Sequence, residues 1–465
     1  MASIAQFNQN GSLAVDCNTA TLSIVEYVPA LPNKLAGRYD LVTRITDSFR
    51  VVAKASTLDG VANALGTLER YLYNASLNPA AYLEFLWKAD TLTNTGTANV
   101  YEGSLRREGR ALKTDDGKFL QSAVVEIVRD PVWYGAWTSI TFDASTPGTI
   151  NNDDTCYVVL PTLPGDLPAL CQFIVQSTGG NSANAQRALA SLKSVGAANF
   201  SHILQVESAD YLDASLTSQS STNFSPGGGG VTAKRYTPPD TSFRLLARWN
   251  KTANLASWQS TFLALSRYKE NATVKNFQLR FRAGDIVSGN YVVSPWATAD
   301  KVRLPNTTYG TTEIGLLALG TVRTPRQAGR QVPVGGVFFE LWGEGLSVAG
   351  TLDLDNLFLF PIGECGPGLG ALAAEFDLAF NVGRAAFDSR PGYGLAYLHD
   401  GTNYMSGAAS HPQGGALYLP PQVATQRVYF LVMQNEAGFF RHDRTNTLGV
   451  TGFYKSRWVS MPGTN

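Results

Sequence analysis

The stretch SFRVVAKASTLDGVANALGTLERYLYNASLNPAAYLEFLWK, residues 48–88, decides the fold class because its hydrophobic period changes twice. In SFRVVAKAS, Phe49, Val51, Ala53 and Ala55 share one face while Arg50 and Lys54 point the other way, the period of two of a half-buried strand. From Leu58 onward, Leu58, Val61, Leu65, Leu68 and Leu72 recur at steps of three and four, which makes one apolar stripe on a helix that Thr57 or Asp59 could cap. Asn78-Pro79 stops that helix. The period then returns to two, with Leu83, Phe85 and Trp87 opposing Tyr82, Glu84 and Lys88, and AVVEIVRD (123–130) supplies a further strand before Pro131. One helix therefore lies across a sheet of several strands.

Composition extends this strand-rich reading to the whole chain. Glycine (44), tyrosine (19) and phenylalanine (23) are abundant, which suits many short strands joined by tight turns. At 465 residues, two to four domains are expected. Charged residues are only 16%, a surface suited to subunit packing, and Lys+Arg and Asp+Glu both number 37, so nothing is set up to grip a nucleic-acid backbone. The N-terminus lacks the basic start and apolar stretch of a signal peptide, and no window of about eighteen apolar residues exists for membrane insertion, so a cytosolic product is expected. Cys17, Cys156, Cys171 and Cys365 have no CxxC spacing and read as reduced core residues, with a Cys156–Cys171 bridge as the minor alternative.

A run rich in Ser, Thr, Pro, Gly, Asn and Asp at 143–155 marks the first boundary. Beyond it, FRLLARW (243–249), KNFQLRFR (275–282), VFFELW (337–342) and TLDLDNLFLFP (351–361) are strands. In KNFQLRFR, Phe277, Leu279 and Phe281 face in while Gln278, Arg280 and Arg282 face out, as in an antiparallel sheet with one wetted side. PGGGG (226–230) reads as a loop tip, since no strand, Lys-Ser/Thr or helix frames it as a phosphate cradle. From about 366, short strands recur in YGLAYLHDG, ALYLPPQ, RVYFLVMQ and TLGVTGFYKSRW. The expected organisation is a mainly β chain: 1–155 a sheet of several strands with one α-helix, 156–365 a β-sandwich, and 366–465 a small β unit or the closing strands of that sandwich.

The ordered set of a strand, the amphipathic helix ending LERYLYNA, AYLEFLWK, and a strand ending EIVRDPVWYGAW resembles the N-terminal domain of distal tail proteins of long-tailed bacteriophages. The middle is similar to the carbohydrate-binding-module-like jelly rolls of phage tail proteins, with PTLPGDLPALCQFIVQ as an opening strand and TLDLDNLFLFPIGE as a closing one, and LPPQ, RVYFLVMQ and TLGVTGFYKSRWVSMPG resemble their finishing segment. The resemblance implies that 1–155 is a β-sandwich with one α-helix and 156–365 a jelly-roll β-sandwich, and it implies a virion protein of the tail tip, assembled in the bacterial host cytoplasm. It implies a homo-oligomeric ring, a hexamer, that contacts the tail tube protein and the hub or baseplate proteins, with an outward sandwich that meets host-surface polysaccharide. Distal tail proteins without an insertion are shorter, which leaves a receptor- or carbohydrate-binding tail-tip or fibre protein as the alternative.

No catalytic arrangement is legible. His202, His399, His411 and His442 form no HExxH or other metal spacing, and GEGLSVAG around Ser347 lacks the spacing of a nucleophile elbow. Asp353 and Asp355 in TLDLDN, two apart on one strand, would sit roughly 7 Å from each other, and a wetted strand face is the plain reading. A structural calcium site is the alternative, since oxygen ligands from such a strand and from loop carbonyls suit that ion; no other cofactor is implied. Trp249 shares a side with Phe243, Leu245 and Ala247 and reads as core, so Trp258 (LASWQS) and Trp296 (VSPWATAD), in loop-like contexts, are the carbohydrate-binding candidates.

Overall fold

The computed structural model describes residues 4–27, 29–30, 44–77, 83–88, 95–142, 148–152, 156–178, 185–193, 203–221, 231–253, 255–258, 261–270, 277–298, 301–304, 315–324, 335–361, 370–376, 384–390, 394–400, 410–414, 416–422, 426–436, 439–441 and 446–459. The chain is mainly β, with one long helix among these residues. It divides into two compact units. The first comprises 1–138, 164–169 and 455–465, and the second 139–163 and 170–454. Cys365, His202, His442 and the 226–230 run lie outside the described residues.

In the first unit the period-two segments become antiparallel strands in the order Ser12–Asp16, Ile4–Gln9, Leu83–Lys88, Gly96–Lys113, Phe119–Arg129, Ile45–Ala55 and Leu22–Glu26. The helix Leu58–Leu77 begins where expected: the Thr57 hydroxyl accepts the Gly60 N–H at 3.0 Å, satisfying one of the amides that a helix start leaves without a partner. Val61, Leu65, Leu68, Leu72 and Ala75 are its buried face. Leu58, expected in that stripe, is instead 53% exposed, because as the first helical residue after the cap it precedes the turn that meets the sheet. The helix comes close to Gly103, where a Cβ would lie 2.7 Å from Leu72 Cδ2, so this position accepts only glycine without movement.

The second unit contains a β-sandwich. A six-stranded antiparallel sheet runs Tyr211–Leu212, Arg244–Lys251, Gly336–Gly345, Phe277–Val287, Asn290–Thr298, with Val302–Arg303 also on Phe277–Val287. Its inner face, with Trp249, Phe277, Leu279, Phe281, Phe339 and Leu341, packs on Phe262, Leu319, Leu352 and Leu357 of a twelve-stranded sheet. The strands after residue 366 pair with earlier ones: Gln426–Glu436 with Tyr157–Leu160 and Ala185–Lys193, and Arg384–Asp388 with Leu167–Thr178. Within the polar run at 143–155, Thr149–Asn151 pairs with Thr447–Trp458, and Asn152 exchanges hydrogen bonds with the Val432 backbone at 2.9 and 3.0 Å.

Candidate functional site

The residues singled out in the sequence fall in four different settings. Trp258 is not on a binding loop: it sits in the short helix Leu255–Trp258, 4% exposed, in the sandwich core, with its ring 5.4 Å from Phe339 and 6.5 Å from Phe262. Burying a large indole outweighs the polar look of LASWQS. Trp296 belongs to the strand Asn290–Thr298, and its side chain lies outside the described residues. Asp353 and Asp355 are not on a wetted face. Both are buried, Asp353 receiving two hydrogen bonds from Arg235 at 2.7 and 2.9 Å and Asp355 pairing with Arg267 at 3.2 Å. Each carboxylate thus has a guanidinium where a calcium ion would need a second anion, so the pair fits a structural role and not that metal. Among the described residues no three His, Cys, Asp or Glu side chains converge as a metal site. Cys156 and Cys171 are free and buried rather than bridged.

The EIVRDPVWYGAW motif forms a buried polar lock in the first unit. Arg129 and Asp47, across paired strands, are fully buried and joined at 2.5 Å. Asp47 also accepts the Tyr27 hydroxyl at 2.5 Å and the Ala30 N–H at 2.8 Å, while Arg129 donates to the Asp130 and Ala30 carbonyls and stacks 4.2 Å over Trp133. Asp130 in turn accepts the Tyr101 hydroxyl at 2.7 Å. Burial pushes the Asp130 carboxyl upward and the Tyr27 phenol well above its ordinary range, so Tyr27 acts as a donor.

The arrangement with the most exposed chemistry is the outer face of the six-stranded sheet, which composition did not reveal. Register places Arg248 and Arg282 on either side of Glu340, and Leu245 and Arg280 on either side of Trp342. Glu340 is fully buried beneath its partners. It accepts from Arg248 Nε at 2.7 Å and from Trp342 Nε1 at 2.8 Å, and it pairs with Arg282. The cations lie on aromatic rings: Arg248 is 3.8 Å from the Tyr291 centroid and 5.9 Å from Tyr211, Arg282 is 4.3 Å from Trp342, and Lys301 is 4.2 Å from Phe243, which stacks on Trp342. Lys301 also meets Glu344 at 3.1 Å. Tyr211 and Tyr291 remain 41% and 42% exposed.

This face depends on a bulge. The register shifts between Leu245 and Ala247, so Leu246 turns into the core and Leu245 moves to the outer side with Arg248. The side expected for Phe243 and Leu245 is corrected accordingly, whereas Trp249 and Ala247 are core as expected. Gly284 leaves room for Phe338, whose ring supports Tyr291 edge-on at 5.2 Å.

No family model matches the chain, and no curated protein matches it. Among solved structures, a protein of the phage P2 baseplate in its activated conformation with Ca is 8% identical, with 77% of this chain and 98% of that chain covered at a TM-score of 0.19. Isomalto-dextranase from Arthrobacter globiformis T6, complexed with panose, is 10% identical over 62% of this chain and 39% of that one at 0.19, and a protein of infectious bursal disease virus, Gt strain, 11% over 83% and 85% at 0.16. TM-scores this low do not establish a shared fold.

Proposed function

We propose that this chain is a non-enzymatic structural protein of a bacteriophage tail, a distal tail protein whose first unit assembles into a six-membered ring between the tail tube protein and the hub or baseplate proteins. The sandwich of the second unit is the outward module that contacts host-surface polysaccharide. The observation that carries this reading is that the strand, helix, strand and EIVRDPVWYGAW set fold together as one unit, with the motif's Arg129, Asp130 and Trp133 at its buried lock. Exposed Leu112, Leu77 and Tyr73, 61–67% accessible, offer that unit apolar surface for a neighbouring copy.

The second reading, a receptor- or carbohydrate-binding tail-tip or fibre protein without a ring, is favoured by the open tyrosines beside Arg248. Negative-stain imaging of the purified full chain separates the two. A six-fold ring is expected, and a monomer or trimer overturns the ring reading.

A further inference from the structure

We propose that the outer face of the six-stranded sheet binds an acidic polysaccharide, a sugar ring stacking on Tyr291 or Tyr211 and an anionic group pairing with Arg248. The proposal deepens the reading of the sandwich as a glycan-contacting module and rests on it.

Three features of the face point to this ligand. The first is charge. Arg248, Arg280, Arg282 and Lys301 share the face with two carboxylates, Glu340 and Glu344, and Glu340 is divided between two arginines. The face is therefore positive on a chain with no net charge, and its central carboxylate is already paired with two arginines, which offset its charge toward an incoming anion. Asp210, which accepts the Asn250 backbone N–H at 2.6 Å, is the acid at its edge.

The second is preorganised aromatic surface. Tyr291 is fixed from three sides by Phe338, by the Arg248 guanidinium and by the Asn250 side-chain amide, which donates to its hydroxyl at 3.2 Å, yet it stays open to solvent. A ring held in place and exposed gives apolar stacking surface to the C–H face of a pyranose without ordering cost at binding. The third is polar capacity. Asn250 Oδ1 and Arg280 Nε are buried without a hydrogen-bond partner, an acceptor and a donor on the same face. Sugar hydroxyls serve both kinds of atom.

Carboxylate and phosphate share the anionic chemistry that Arg248 recognises. The test is native affinity electrophoresis of the full chain in gels containing polygalacturonate, glucosylated poly(glycerol phosphate) teichoic acid or neutral dextran. Retardation is expected in one or both acidic gels and not in dextran, and the gel that retards identifies the anion. Arg248→Gln and Tyr291→Ala should each weaken binding about tenfold or more. Tyr211→Ala, at an exposed position, keeps the test valid should the other variants fail to fold.

No retardation in either acidic gel overturns the proposal, as does retention unchanged in all folded variants. Retardation in dextran alone, lost in Tyr291→Ala, overturns the acidic preference while sparing the glycan-contact reading. Rings without retardation overturn this proposal only, and retardation without rings overturns the ring reading only.

Discussion

Replacing Asp47 with Ala tests whether the buried lock holds the first unit together. Asp47 and Arg129 are both inaccessible to solvent, and Asp47 takes hydrogen bonds from Arg129, Tyr27 and the Ala30 amide. Removing the carboxylate strands a guanidinium in the core and leaves a phenol and an amide without an acceptor. Breaking such a pair costs about 3–5 kcal/mol, roughly a hundredfold to several-thousandfold in the opening equilibrium. Replacing both partners, as Asp47→Leu with Arg129→Met, removes the charge together with its counterion and should cost much less. Hydrogen exchange resolved by mass spectrometry locates the effect. Amides of Ile45–Ala55 and Phe119–Arg129 should exchange faster by that factor in Asp47→Ala, while those of Phe277–Val287, in the other unit, keep wild-type rates. Acceleration below about tenfold, or a double variant as unstable as the single one, would refute the assignment of the pair as the lock.

Gly284→Ala places a Cβ 2.3 Å from the Val292 carbonyl oxygen and 2.6 Å from the Phe338 ring, so calorimetry should show a loss of about 1–3 kcal/mol, and Tyr291, resting on Phe338, should lose its fixed position. A variant with wild-type melting temperature refutes the close contact. His399 is buried and its pKa is lowered, first by burial and then by Arg384 and Arg390, with Asp400 opposing. The unfolded chain therefore takes up a proton near 6.5 that the folded chain does not, and stability should fall as pH drops through and below that value. Melting temperatures from pH 7.5 to 5.5 (about one unit to either side of the unbound value) should fall more steeply in wild type than in His399→Gln, and equal slopes would exclude the effect.

Local periodicity made the first unit legible. The alternation around Phe49 and Phe85 and the stripe from Val61 to Leu72 depend only on neighbours within a turn or a strand, so they survive folding unchanged. The charged core did not show. Asp47 and Arg129 are 82 positions apart, and nothing near either signals that the other will stand opposite. The same holds for Asp353 and Asp355: a surface carboxylate and a buried one look alike until Arg235 and Arg267 arrive from other strands. LASWQS misled for the opposite reason, since its polar residues flank an indole that the sandwich core draws in.

The outer face of the six-stranded sheet shows where alternation alone stops. Gln278, Arg280 and Arg282 are outward in sequence and in structure, but that one strand holds no site. The site exists because Arg248 and Arg282 are brought to the two flanks of Glu340, and the bulge at Leu246 settles which residues accompany Arg248 on that side. A strand without the bulge would keep Leu245 in phase with the core residues Ala247 and Trp249. One inserted residue thus sends Leu246 inward in its place and leaves the outer side, from Leu245 to Arg248, for the aromatic and cationic ladder. Deleting Leu246 removes a core side chain but leaves Leu245 opposite Trp342 and Arg248 opposite Glu340. If that face is where the protein meets a polysaccharide, a folded deletion variant should therefore keep its retardation in the acidic gels, and its loss there would refute the reasoning.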